Sequence, residues 1–209
     1  MLVGRIRHAQ RIVSLASLTV ATAASVVLLI GVDRDGPIVV TGGGWPAPLG
    51  IALVADRLSA LLLAVSTVTL LAVLVYAIGQ PGAERRHVGF QSAYLVMSAG
   101  VALSFLTGDL FTLFVAFEMM LTASYVLIGL IASVLFMVAL ALIYTATGTM
   151  NMADLAQRIP QLDHGLQVAF ALFLFLVFGI KAAVFPLFFW LPDSYPTAPS
   201  PVTAIFAGL

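Results

Sequence analysis

The stretch QVAFALFLFLVFGIKAAVFPLFFWL, residues 167–191, decides how this chain can fold. It is apolar for longer than the about 20 residues that a transmembrane helix needs. It also contains Lys181, the only lysine in the sequence. A charged side chain near the middle of a membrane helix costs roughly 2.5 to 3.5 kcal/mol, so it normally has a partner and a function. The stretch therefore predicts a membrane helix that carries a functional charge.

Pro186 predicts that this helix, expected over 166–191, is interrupted just past the lysine. Proline donates no backbone hydrogen bond, and its ring crowds the carbonyl of Ala182, while Gly179 adds backbone freedom on the other side of Lys181. Carbonyl groups released at membrane depth need protein or water around them. We expect a broken helix at Lys181/Pro186 beside a hydrated ion path. The alternative is a snorkelling lysine above an ordinary proline kink.

The composition is that of an all-α polytopic membrane protein. Hydrophobic residues make up 62% of the 209 positions and charged residues only 9%, whereas soluble domains have about 25% charged residues. The formal net charge of +0 gives no reason to expect nucleic acid as a partner. Cysteine is absent, which excludes disulfides and cysteine-bound iron–sulfur clusters. We expect no cofactor, no metal site and no catalytic centre.

Apolar segments predict about six transmembrane helices and the start of a seventh within a single membrane domain. The loop over 32–49 is expected to form a short turn-rich hairpin. Asp109 and Asn151 are each expected to cap the helix that follows, the second of these being a short amphipathic helix that Pro160 ends. The expected helix ranges within the domain 1–209 are 12–31, 50–78, 89–106, 110–129, 131–147, 166–191 and 199–209.

The run over 110–147 has no loop signal. One helix of that length would reach about 57 Å, against a hydrocarbon core of about 30 Å. Two spans with a tight turn fit better, and Gly129 offers the backbone freedom for such a turn. The turn decides the side of every later element: with it, residues 151–159 lie outside and the loop over 192–201 lies inside.

Arginine clusters predict the orientation of the chain. Three arginines lie within residues 1–11, and Arg85 and Arg86 lie in the connection after the second helix. Both clusters face the cytoplasm under the positive-inside rule. We therefore expect a cytoplasmic N-terminus, with Trp45 on the outside.

Glu118 is the second intramembrane charge, about 12 Å from the start of its helix. Pairing with Lys181 would give each buried charge a partner of opposite sign. The alternative is a neutral glutamic acid bonded to a serine or threonine of a neighbouring helix. Burial and a nearby carboxylate act on the pKa of a lysine in opposite directions. The pair is therefore a candidate for proton transfer, in which Lys181 takes and releases the proton and Glu118 tunes it.

Four segments resemble a known family: GGWPAP (43–48), TGDLFTLFVAFEMMLTASYVL (107–127), GTMNMADLA (148–156) and FGIKAAVFPLFFWLPDSYPTAP (178–199). They look like the D subunit of the Mrp-type multisubunit sodium/proton antiporters. That family of proton-conducting membrane transporters is similar to the antiporter-like subunits of respiratory complex I and of membrane-bound hydrogenases. The resemblance implies that Glu118 and Lys181 form the first charge pair of a proton channel.

The chain departs from this family pattern in three respects. The family has a further helix before 12–31 and a polar cytoplasmic loop where Gly129 lies in this sequence. It also continues for several helices, with a second, inverted repeat whose next lysine would lie just beyond Leu209. We therefore expect this sequence to be the N-terminal half of a longer subunit.

The resemblance implies a proton-translocating antiporter subunit, not an enzyme, in the plasma membrane of a bacterial cell. Its implied partners are the other Mrp antiporter subunits of a hetero-oligomer, together with protons, sodium ions and the lipid bilayer. Two alternatives stay open. One is a proton-pumping subunit of a complex I or membrane hydrogenase assembly; the other is a truncated remnant without transport. The sequence leaves open the coupling ion, the stoichiometry and whether the chain functions alone.

Overall fold

The computed structural model describes residues 2–45, 50–79, 90–122 and 126–188. The helix expected over 199–209, the loop over 192–201 and the arginines at 85 and 86 lie outside the described residues. The chain is an all-α polytopic membrane protein with one short β-hairpin. Its α-helices over the described ranges are α1 (Leu2–Asp35), α2 (Arg57–Gly79), α3 (Phe90–Leu106), α4 (Leu110–Thr122), α5 (Val126–Thr147), α6 (Met152–Arg158) and α7 (His164–Lys181).

Three helical segments of the described chain are long and apolar enough to cross a membrane: His8–Asp35 in α1, Arg57–Gly79 and His164–Lys181. Phe90–Leu106 and α4 are apolar but shorter. The 22 residues of α5 give a helix of about 33 Å, enough for the hydrocarbon core. The predicted set of about six membrane helices is therefore confirmed.

The second helix begins later than the sequence predicts. The prediction places residues 50–56 within helix 50–78, but Ala52–Ala55 forms strand β2, which pairs antiparallel with strand β1, Ile38–Thr41. The helix starts at Arg57 because Asp56 and Ser59 cap it reciprocally. The Ser59 N–H donates to Asp56 Oδ1 at 2.7 Å, and the Asp56 N–H donates to Ser59 Oγ at 2.9 Å. The hairpin therefore extends beyond the predicted loop.

The first helix is longer than the predicted range 12–31. It runs for 34 residues and ends at Asp35, directly before Gly36, whose φ of 89° is the left-handed conformation that glycine adopts most readily. Arg57 Nε lies 3.1 Å from Asp33 Oδ1, so an exposed ion pair joins the end of α1 to the start of α2. Within the bundle, Ser25 Oγ and Thr67 Oγ1 are 2.9 Å apart and link the same two helices.

The chain reverses between α4 and α5, but not near Gly129. Helix α4 ends at Thr122 and α5 begins at Val126, so Gly129 lies inside α5 and the predicted boundaries 110–129 and 131–147 are wrong. Glycine is tolerated within membrane helices, so it is a poor guide to the turn. The two helices nevertheless run in opposite directions, because the start of α4 lies beside the end of α5.

Backbone hydrogen bonds join the hairpin to the connection between α3 and α4, and join that connection to the one between α5 and α6. We call this network the hairpin band (residues 52–53, 107–110 and 150–152). The Gly108 N–H donates to Ala52 O at 2.8 Å, and the Leu110 N–H donates to Met150 O at 3.0 Å. Asp109 and Asn151 pair across it and cap the helices that follow, with Asp109 Oδ1 accepting the Thr112 N–H at 2.9 Å. Both caps agree with the sequence prediction.

Among the described residues, three clusters of buried side chains hold the elements together. The first lies between α1, α2 and α3, the second lies between α4, α5, α6 and α7 beside the candidate site, and the third joins the end of α1 to β2 and the start of α2. Helix α3 approaches α4 closely at Gly100, where an added Cβ would lie 2.8 Å from Ala116 O. The buried residues of the second cluster are Leu110, Phe136, Leu140, Ile143, Leu155, Phe170 and Val177.

Candidate functional site

Lys181 is the last residue of α7, and the helix ends there in a Schellman motif. The Val184 N–H donates to Gly179 O at 3.0 Å, and the Ala183 N–H donates to Ile180 O at 3.3 Å. Ala183 has a φ of 52°, a left-handed conformation that this motif normally gives to glycine. The helix is therefore broken just past the lysine, and its last carbonyl groups have local partners.

Gly179 and Pro186 act at this break differently from the sequence interpretation. Gly179 is helical, and its lack of a side chain leaves room for Leu187, in the segment that follows the break. An added Cβ at Gly179 would lie 3.0 Å from Leu187 Cδ1. Pro186 comes five residues after the last helical residue, so it follows the break and does not interrupt a continuing helix. The cap of α7 is already complete at Val184.

The Lys181 ammonium is buried and lies against an aromatic face. Its Nζ is 5.2 Å from the centroid of the Phe117 ring and has no hydrogen-bond partner in the part of the chain that the structure describes. A cation over an aromatic face gains about 0.5 to 2 kcal/mol. The negative end of the helix dipole adds roughly 0.3 to 1 kcal/mol. Both effects favour the charged form of Lys181.

Glu118 follows Phe117 directly on α4, and its negative charge interacts electrostatically with the Lys181 ammonium. The Glu118 side chain is half-buried, with Oε1 shielded from solvent. The fold thus brings the two intramembrane charges identified from the sequence into one region, at the boundary between α4 and α7.

Four phenylalanine rings from α4, α5 and α7 form an aromatic layer next to this region. The Phe136 ring is fully buried, with its centroid 5.3 Å from Phe178, 5.8 Å from Phe114 and 6.1 Å from Phe117. Phe178 lies one helical turn before Lys181. Sequence reasoning treats such phenylalanines as ordinary packing residues. The spacing of three residues between Phe114 and Phe117, repeated between Phe178 and Lys181, is the signal that could have indicated a shared face.

No group of three or more histidine, cysteine, aspartate or glutamate side chains that could hold a metal ion occurs among the described residues. The site contains a buried amine, a carboxylate and their aromatic surroundings. In such an arrangement the amine can be either protonated or neutral.

Both the sequence and the fold are similar to those of known proteins. Residues 123–209 match the family described as NADH:quinone oxidoreductase/Mrp antiporter, transmembrane. The D subunit of the sodium/proton antiporter of Alkalihalophilus pseudofirmus is 38% identical over 219 residues, covering 96% of this chain and 44% of the relative. The D subunit of a probable potassium/proton antiporter of Rhizobium meliloti is 41% identical over 188 residues, covering 80% of this chain and 34% of the relative.

The fold is similar to that of a chain in the structure of the Mrp complex from Dietzia. The TM-score is 0.82 with 30% sequence identity, and the match covers 97% of this chain and 41% of that one. The chain described here is thus a member of the family of polytopic membrane subunits that Mrp antiporters share with NADH:quinone oxidoreductases. Over nearly its whole length the chain is similar to antiporter D subunits, and it spans less than half the length of these relatives.

Proposed function

We propose that the chain is a proton-translocating subunit of a multisubunit sodium/proton antiporter, in which Lys181 takes and releases the proton and Glu118 tunes that step. The observation that carries the proposal is the buried Lys181 ammonium at the end of a broken helix, within the influence of the Glu118 charge. A membrane protein would rarely retain such a pair for packing alone, since apolar residues would fill the space at lower cost.

The sizes of the interaction energies at Lys181 support an amine that can lose its proton. The aromatic face and the helix end together favour the ammonium by roughly 1 to 3 kcal/mol, which is comparable to the cost of about 2.5 to 3.5 kcal/mol for a charge at membrane depth. Because these opposing contributions are of similar size, the Glu118 carboxylate would shift the balance in this proposal. A change of about 1.4 kcal/mol in its influence changes the ratio of the two protonation states tenfold.

The broken end of α7 supports an access route for the proton. Beyond Lys181 the described chain continues as turns, and Ala182, Val184, Phe185 and Pro186 are exposed. On the opposite side of Lys181 the aromatic layer contains no polar side chain. In this proposal protons reach the amine past the residues after the helix end, because a route through the aromatic layer would have to cross a dry region.

The proposed coupling ion and partners come from the relatives. The relative from Alkalihalophilus pseudofirmus is named a sodium/proton antiporter subunit, and the similar solved structure is that of an Mrp complex. We therefore propose that proton movement is coupled to sodium movement in the opposite direction. Other Mrp antiporter subunits would take part, in a bacterial plasma membrane and with the N-terminus in the cytoplasm. Because the Rhizobium meliloti relative is named a probable potassium/proton antiporter subunit, potassium is the second cation to compare with sodium.

The test measures proton movement in inverted membrane vesicles that contain the chain assembled with its partner subunits. A pH-sensitive dye reports the response to added sodium and, separately, to added potassium. Lys181→Ala should abolish the response and Glu118→Ala should weaken it severely, whereas Leu172→Ala, on an exposed position of the same α7, should retain it. Transport near the wild-type rate in Lys181→Ala would refute the proposal. A response to potassium alone would refute only the sodium coupling.

A second candidate function is a proton-pumping subunit of a redox complex, because the matching family includes NADH:quinone oxidoreductase subunits. The same amine and carboxylate would then move protons for electron carriers in other chains. Vesicles separate the two functions: a redox-complex subunit would support proton movement on addition of an electron donor such as NADH, and an antiporter subunit on addition of a cation gradient.

A further inference from the structure

Ser133 is a buried hydroxyl in α5 that the local backbone does not satisfy. The residue is 5% exposed, and its Oγ has no hydrogen-bond partner in the described ranges. A serine or threonine in a helix usually donates to a carbonyl of the preceding turn. Two threonines of the same helix do so: Thr145 Oγ1 donates to Ala141 O and Thr147 Oγ1 to Ile143 O, each at 2.7 Å. Among the serines and threonines of α5, Ser133 is therefore the one whose hydroxyl remains available for another partner in the described chain.

The helix register puts Ser133 at the level of Lys181. Ser133 precedes Phe136 by three residues and lies on the same face of α5. The Phe136 ring is 5.3 Å from Phe178, which precedes Lys181 by three residues on α7.

Helices α5 and α7 run in opposite directions. Arg158, in the short segment that joins them, donates to Thr147 O at the end of α5, and α7 begins a few residues later. Ser133 lies about 4.5 Å along α5 from Phe136, and Lys181 lies about 4.5 Å along α7 from Phe178. Because the helices are antiparallel, both displacements point in the same direction, away from the hairpin band. Ser133 and Lys181 lie on the same side of the aromatic layer, at similar depth, and each has a buried polar atom without a hydrogen bond in the described chain.

We propose that Ser133 is a positioning residue of the Lys181 site, whose hydroxyl is linked to the amine through one water molecule. This inference rests on the proposed function, in which Lys181 changes its protonation state. The ammonium can only donate hydrogen bonds, so the water accepts one from it and donates one to the serine oxygen. After the proton leaves, the amine has a lone pair; the serine O–H then rotates to donate to the water, and the water donates to the amine. A Glu118 carboxylate accepts hydrogen bonds but donates none, so it cannot supply this donor to the neutral amine.

The experiment compares Ser133→Ala, Ser133→Cys and Ser133→Thr in the vesicle assay, with the amount of assembled complex measured by immunoblot. Ser133→Ala should lower the maximal rate of proton movement about threefold to tenfold, the effect expected for one lost hydrogen bond. The cation concentration at half-maximal rate should not change. Ser133→Cys, of similar volume but a weak donor, should be similarly impaired, and Ser133→Thr should restore most of the rate. Thr145→Ala, which removes an exposed hydroxyl of the same helix, is the matched control.

The outcomes separate this inference from the proposed function when Lys181→Ala is measured in the same preparation. A wild-type rate in Ser133→Ala, together with loss of transport in Lys181→Ala, overturns the inference and leaves the proposed function intact. Equal impairment of the alanine and threonine variants also overturns it, because the hydroxyl is then not the cause. Retained transport in Lys181→Ala overturns both.

Discussion

Lys181 Nζ lies 5.2 Å from the centroid of the Phe117 ring, on a neighbouring helix. The residue that follows Phe117 is Glu118, so one turn of α4 supplies both the aromatic face and the carboxylate that act on the amine. A ring face attracts a cation without accepting a proton from it. A displacement of α4 relative to α7 would therefore change both favourable interactions of the ammonium together.

Phe117 is predicted to contribute through its aromatic face. Phe117→Leu should lower proton movement about twofold to tenfold, because a cation–π attraction of about 0.5 to 1.4 kcal/mol is lost while an apolar side chain of similar size remains. Phe117→Trp should retain the rate. The vesicle assay with matched amounts of assembled complex provides the measurement, and equal rates for leucine and phenylalanine would show that the residue acts by packing.

Ala183 is predicted to be a point of backbone strain at the end of α7. Its φ of 52° costs an L-residue with a Cβ about 1 to 2 kcal/mol. Ala183→Gly relieves this, but glycine loses about 0.4 to 1 kcal/mol more through the unfolded chain. We expect a net gain of about 0.5 to 1 kcal/mol from Ala183→Gly and a loss from Ala183→Val. Thermal unfolding of the detergent-solubilised protein, followed by tryptophan fluorescence, is the measurement; a loss of stability in the glycine variant would contradict the left-handed cap.

Gly100 is predicted to be required for the contact between α3 and α4. An added Cβ would lie 2.8 Å from Ala116 O, so Gly100→Ala forces the two backbones apart and should cost about 1 to 3 kcal/mol. Gly31 in α1 is the matched control, because nothing lies within 4 Å of an added Cβ there. Gly31→Ala should be neutral or slightly stabilising, by about 0.5 to 1 kcal/mol. The same thermal measurement applies, and equal effects at both positions would exclude the close approach.

Asp56 is predicted to stabilise the start of α2 in a pH-dependent way. The Ser59 backbone N–H, which donates to the carboxylate, holds the pKa of Asp56 below its ordinary value. A lowered pKa in the folded state means that the stabilisation is present above the ordinary pKa of about 3.9 and is lost as the pH falls through the lowered value. The difference in unfolding temperature between wild type and Asp56→Ala should therefore shrink below about pH 4. A difference independent of pH would indicate that the cap does not depend on the charge.

The orientation of the chain is predicted from its arginines. The N-terminus and position 85 should be cytoplasmic, and position 45 should be outside. Because the sequence has no cysteine, single introduced cysteines can be labelled in intact cells with a reagent that does not cross the membrane. Labelling at position 45 but not at position 85 is the expected pattern, and the reverse would invert the orientation.

The features that the sequence predicts correctly are those with local polar chemistry. Asp109 and Asn151 are recognisable as caps because a short polar side chain before an apolar run satisfies free N–H groups. Lys181 and Glu118 are recognisable as intramembrane charges because a charge within an apolar segment is rare and costly, whereas their role in proton transfer stays a prediction. Each of these inferences needs only a few neighbouring residues.

The features that the sequence does not predict depend on long apolar runs or on three-dimensional register. In a membrane protein both faces of a helix are apolar, so the pattern of Ala52–Ala55 does not distinguish a strand from a helix. For the same reason nothing in the run containing Gly129 marks where α4 ends. The proximity of Phe117 to Lys181 and the depth of Ser133 follow from how α4, α5 and α7 pack, which the order of residues along the chain does not contain.

The hairpin band attaches the start of α4, the helix that carries Glu118, to the neighbouring connections. Its backbone hydrogen bonds hold the residues just before α4 to strand β2, and they join Leu110 at the start of α4 to Met150, which follows the end of α5. Glu118 lies about 12 Å from that attachment along α4. A tilt of α4 by about 5° about this attachment would therefore displace Glu118 by about 1 Å while leaving Leu110 in place. The position of Glu118 along α4 thus links the tilt of that helix to the distance between the carboxylate and the amine.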